Sequence, residues 1–85
     1  MYRPADTLTL ANARQVLAEG LRAISAGQSE IDLSGLATVD SSALATLLAW
    51  KRAAVARKAP LALIHPPPSL RSLAELYGVA ELLLH

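Results

Sequence analysis

Cysteine and phenylalanine are both absent from this chain. Without cysteine there is no disulfide framework and no thiol chemistry, which fits a reducing compartment. Aromatic residues make up only 4% of the sequence, so the core has to be built from Leu, Ala, Val and Ile. Charge of one sign is also lacking. Eight basic and seven acidic side chains leave a net charge of +1. Nucleic-acid binding calls for a basic patch or stripe. Lys51-Arg52 and Arg57-Lys58 are short pairs on one helix and read as a solvated face with a basic C-terminal end. No apolar stretch reaches the roughly 18 residues that span a bilayer. The opening MYRPADTLTL lacks the apolar run of a signal peptide. These features predict a cytoplasmic chain with no direct membrane insertion, its membrane connection running through a partner.

What is present is aliphatic. The chain is 85 residues long and 53% apolar, which predicts a single domain over residues 1–85. A chain this short buries only about 60–65% of its unfolded surface. The surplus of Leu and Ala therefore has two readings: a helix-rich core with Ala at close contacts, or an apolar face that meets a partner.

Short apolar runs alternate with segments of helical period. Thr7 to Leu10 alternates as a short strand or its end. Leu10, Ala13, Leu17, Leu21 and Ile24 share one helical face, with Gly20 inside the helix and Gly27 at its stop. Ile31 to Leu33 reads as a strand. A second helix opens near Asp40 or Ser41, with an inner stripe of Leu44, Leu47, Leu48 and Val55. It ends by Lys58, because Pro60 forbids its continuation. Leu61 to Ile64 is a continuous apolar run, as in a strand covered on both faces. Three prolines follow, and Ser69 is the expected N-cap of a third helix with Leu70, Leu73, Ala74 and Tyr77 inward. Gly78 is placed to end that helix, and Glu81 to Leu84 reads as a last short strand. The alternation predicts an α/β fold with a small, mostly parallel sheet and crossover helices.

The densest signal is Ile31 to Leu44, IDLSGLATVDSSAL. A strand, a turn and a helix start carry one carboxylate and two hydroxyls. This stretch resembles the STAS domain family, in which a D-S-[ST]-G-L motif opens a helix. Here the motif stands as Asp40-Ser41-Ser42-Ala43-Leu44, with Ala43 where antagonists of anti-sigma factors usually carry Gly. The later helix, ending Leu76-Tyr77-Gly78-Val79, is similar to the STAS subunit of Mla-type phospholipid ABC transporters. The resemblance covers roughly Thr7 to the C-terminus. It implies two strands before the first helix, where this chain has room for one and little more. The expectation is a shortened N-terminal strand region and a sheet edge that is exposed or covered by a partner.

No enzyme chemistry is apparent. The chain has no Walker A loop. His65 and His85 have no carboxylate at metal-ligand spacing. Ser41 or Ser42 with a distant His65 lacks the G-x-S-x-G elbow of a serine hydrolase. The chain is therefore expected to be non-catalytic, with neither metal nor cofactor.

Three readings compete for Asp40-Ser41-Ser42. The first is helix capping, for which one residue suffices. The second is a docking surface. On a helical wheel Ser42, Thr46 and Trp50 fall opposite Leu44, Leu48 and Val55, so Trp50 is expected to point away from the core as an interface anchor. The third is phosphorylation. The resemblance to anti-sigma factor antagonists implies Ser42 as the modified hydroxyl and an anti-sigma kinase as partner. The resemblance to Mla-type subunits implies Ser41 as the sensitive hydroxyl and the transporter's ATPase as partner. Ala43 and the Leu-Tyr-Gly-Val ending favour the Mla side. The expected partner-binding residues are thus Asp40, Ser41, Ser42, Thr46 and Trp50.

Overall fold

A computed structural model describes residues 1–84. Four strands and four helices follow one another as β1 (Thr7–Leu8), α1 (Ala13–Ser25), β2 (Glu30–Asp32), β3 (Thr38–Val39), α2 (Ser41–Ala56), β4 (Ala62–Ile64), α3 (Pro68–Leu76) and α4 (Ala80–Leu84). Both ladders are parallel. Thr7 faces Thr38 and Leu8 faces Val39 in one, while Ile31 faces Leu63 in the other. Residues 2–8 join them, because Tyr2 forms a parallel bridge to Ile31 on the side of β2 away from β4. The spatial order is therefore β4, β2, residues 2–8, β3. Asp32 N–H donates to the Tyr2 carbonyl at 3.0 Å, and Ala37 N–H to that of Asp6 at 2.7 Å. The expected α/β fold with a mostly parallel sheet is present. The shortened N-terminal region holds one bridge and one two-residue strand.

The core is aliphatic with one large aromatic. Leu8, Ile31, Leu33, Leu47, Leu70 and Leu83 are buried together with Trp50. Gly20 is the reason Trp50 fits. A Cβ on Gly20 would overlap the indole at Cε2, Nε1 and Cζ2, so only glycine lets α1 lie this close to the ring. The indole N–H donates to the Leu17 carbonyl at 3.1 Å, and Tyr2 meets the ring edge-on at 6.0 Å. A buried indole thus keeps its polar atom paired.

Several expectations are corrected here. Trp50 points into the core and is 0% exposed, whereas Val55 is 74% exposed. The buried residues of α2 are Ala43, Leu44, Thr46, Leu47, Trp50 and Ala54, so Leu44 and Leu47 lie inward as expected while Val55 does not. Apolar residues occur all round this helix, so their spacing does not choose a face. Leu10 lies in the turn before α1, not on it, and is 81% exposed. On α1 itself the buried residues are Val16, Gly20 and Ile24, and Leu21 is exposed. Tyr77, expected inward, is the C-cap of α3 and is exposed. The segment expected as a last strand is the short helix α4, begun by Leu83 N–H donating to the Val79 carbonyl. Ser69 lies inside α3, which starts one residue earlier. Proline at the first helical position has its φ preset and no N–H to satisfy. In β4, Ala62 is exposed and Leu63 buried, so one face of that strand is open. Gly27 and Gly78 do end their helices, with φ of +96° and +73°.

Candidate functional site

Asp40 is the N-cap of α2, held in extended conformation by the end of β3. One carboxylate oxygen, Oδ1, accepts from Ser42 N–H at 2.8 Å. The other, Oδ2, accepts from Leu10 N–H at 3.1 Å. One side chain therefore caps α2 and fixes the β1–α1 turn to it. The two N–H donors favour the charged form, so the Asp40 carboxyl titrates below its usual range, the Leu10 donor contributing most. The turn is also tied from within. The Asn12 amide donates to the Thr7 carbonyl at 2.7 Å and accepts from Thr9 N–H at 3.0 Å.

This framework sets out a surface. Leu10 and Ser41 are exposed on either side of the Asp40 link. Beside them a shallow groove of about 300 Å³ runs between the starts of α1 and α2, lined by Ala13, Arg14, Leu17, Ser42, Ala45 and Thr46. Four of the five sequence-predicted residues lie here, in different roles. Asp40 is the strut, Ser41 faces solvent, and Ser42 is half-buried in the groove wall. Thr46 is 3% exposed, and its hydroxyl donates to the Ser42 carbonyl at 2.9 Å. That internal bond spends the hydroxyl on the helix itself.

Trp50 does not belong to this surface, since it lies in the α1–α2 core. Ala43 is also fully buried, so its methyl group packs inward and narrows nothing at the helix start. Sequence reasoning placed Leu10 on the inner face of the first helix and gave Arg14 no role at the site. Leu10 sits between an alternating strand and a helical run, and no pattern separates an exposed turn leucine from a core one.

His65 is at the far edge of the sheet, after β4, in the left-handed region with φ of 57°. Its Nδ1 lies 3.5 Å from Asp32 Oδ1. The Asp32 carboxyl is held below its usual range chiefly by Ser34 N–H, with His65 a smaller contributor. His85 lies outside the described residues. Among those residues no helix is long and apolar enough to cross a membrane.

The family model described as "Mlab, STAS domain" matches residues 5–84. No curated protein and no solved structure matches the chain. The match spans both ladders and all four helices, and the chain belongs to that family.

Proposed function

We propose that this STAS domain is a non-catalytic partner subunit that binds the ATPase of an Mla-type phospholipid ABC transporter, ATP hydrolysis being left to the partner. The observation that carries the reading is the Asp40 link. It holds an exposed leucine and an exposed serine on one braced surface, next to a groove of mixed character. An apolar side chain presented by a fixed turn loses little freedom on docking, which is how preorganisation raises affinity. A half-buried carboxylate with both oxygens engaged is not offered for proton transfer. The domain's action would thus be to dock, at the cytoplasmic side of the inner membrane where the transporter stands.

A second reading rests on Arg14. The groove sets this exposed guanidinium on the α1 wall, facing the α2 wall that carries Ser42. A phosphate on Ser42 would add about −1.5 to −2 charges. Arg14 would oppose that charge, and Asp40 would repel it. An anti-sigma factor antagonist switched by a partner kinase would use this chemistry.

Calorimetric titration of the purified domain with its host's Mla-type ATPase separates the readings. Leu10→Asp and Ser41→Asp should each weaken binding at least tenfold while the domain stays folded. Both variants place an unpaired carboxylate in the buried contact, beside Asp40. Wild-type affinity in both variants would remove the surface from the reading. Stoichiometric phosphate on Ser42 in protein from the host, with no binding to the ATPase, would establish the antagonist.

A further inference from the structure

At the other end of α2 lies a second groove, of about 400 Å³, between that helix and α4. Leu48, Val55 and Ala56 form one wall and Leu82 the other, and Lys51 and Arg52 stand among them. Val55 is 74% and Leu82 62% exposed, so the apolar lining is open to solvent. The charge on the α2 wall has one sign, while α4 carries Glu81 next to Leu82. Residues 41–56 contain no Asp or Glu, and four of the chain's eight basic residues fall within 51–58. The Lys51 ammonium donates to the Leu61 carbonyl at 2.7 Å, which fixes its position over the groove. An ammonium has three donors, so two remain for an incoming acceptor. Arg52 is exposed and keeps its planar fork.

We infer that this groove binds a short amphipathic helical segment of a partner protein, with apolar side chains on one face and carboxylates beside them. Complementarity of charge selects the occupant. Open leucine and valine side chains call for an apolar stripe, and the Lys51–Arg52 pair calls for acidic residues along its edge. Leu48 and Val55 are seven residues apart on α2, so the floor is about 10 Å long. A helix with two anchors spaced by two turns covers that length. Shape argues against an anionic bilayer as the occupant. The site is a trough between two helices, and a bilayer surface is met by a projecting apolar ridge. A second copy of this chain is also less suited, because its long, acid-free helix would bring like charge to like.

The test uses the whole domain, labelled with nitrogen-15, and two synthetic peptides of 16 residues. Both carry leucine on one helical face; glutamate fills the other face in one peptide and lysine in the second. The glutamate peptide should shift the amide resonances of residues 48–56 and 82, and the lysine peptide should bind at least tenfold more weakly. Arg52→Glu and Val55→Asp, both at exposed positions, should each reduce binding of the glutamate peptide at least tenfold with an unchanged circular dichroism spectrum. Binding should weaken as salt is raised. Four results would overturn the inference: no binding of the glutamate peptide, shifts confined to other residues, equal binding of both peptides, or insensitivity to both substitutions. Shifts of the same amides by vesicles with anionic headgroups but by neither peptide would assign the groove to lipid. The same shifts on concentrating the domain alone would assign it to self-association.

Discussion

The α1–α2 pair and the α3–α4 corner are built from similar residues and hold together differently. Between α1 and α2 a single indole fills the space left by a glycine, its N–H is paired, and a tyrosine closes the edge. At the α3–α4 corner Leu70, Ala74, Leu83 and Leu84 are buried, but Leu76, Tyr77 and Leu82 are left exposed. The first contact depends on shape at one point. The second spreads over small aliphatic side chains around a glycine-ended turn. Composition does not explain the contrast, since both regions are rich in Leu and Ala. The difference lies in whether a large side chain has one matching cavity.

The sharpest way to break the contrast is Trp50→Ala, which should cost about 3–5 kcal/mol of stability. Chemical denaturation would measure it, and a loss below about 1 kcal/mol would show that the indole is not the keystone. Gly20→Ala probes the same contact from the other side and should cost about 1–3 kcal/mol by overpacking. The corner should respond more mildly. Gly78→Ala forces a Cβ into the left-handed region and should cost about 1–2 kcal/mol, seen as a modest fall in Tm. Open space around Gly78 means that the cost is one of backbone conformation alone. An effect on the scale of Trp50→Ala would refute the view of this corner as the looser one.

The smallest effect is one of pH, and it separates the braced end of α2 from the corner. The Asp40 and Asp32 carboxyls are depressed by N–H donors, and Glu19 by the Tyr2 hydroxyl and then the Gln15 amide. A depressed carboxyl contributes stability above its unfolded value, near 3.9 for Asp. That contribution is lost as pH falls through the lower folded value. Asp40→Asn should therefore flatten the fall in Tm below about pH 4, while lowering Tm at neutral pH. An unchanged acid limb in that variant would mean that the cap carries no pH dependence.

Much of this molecule was legible in one dimension. Alternation of short apolar runs with helical segments predicted the parallel α/β fold. Gly27 and Gly78 marked helix ends because a left-handed residue without Cβ is what a helix stop needs. Asp40 was legible as a helix start, since an Asp before an apolar run is a local signal. Where the sequence reading failed, the cause was relative position. On α2 Leu44 and Leu47 were placed inward correctly, but Val55 was placed inward and Trp50 outward, because the apolar residues of that helix are nearly continuous. Glu81 to Leu84 was read as a strand because four residues are too few to show a period.

The sequence by itself therefore determined the local decisions. It set where α1 and α3 stop and where α2 starts, and that no thiol or nucleotide-loop chemistry is available. Those follow from backbone sterics and from side chains within a few residues of each other. The tertiary structure alone decided which face of α2 is buried, because that depends on Gly20, thirty residues away from Trp50 in the chain. It also decided that Leu10 is tied to the start of α2, because the Asp40 carboxylate reaches from that helix start to the turn after β1. Contacts of that kind depend on packing between distant segments, and local patterns do not encode them.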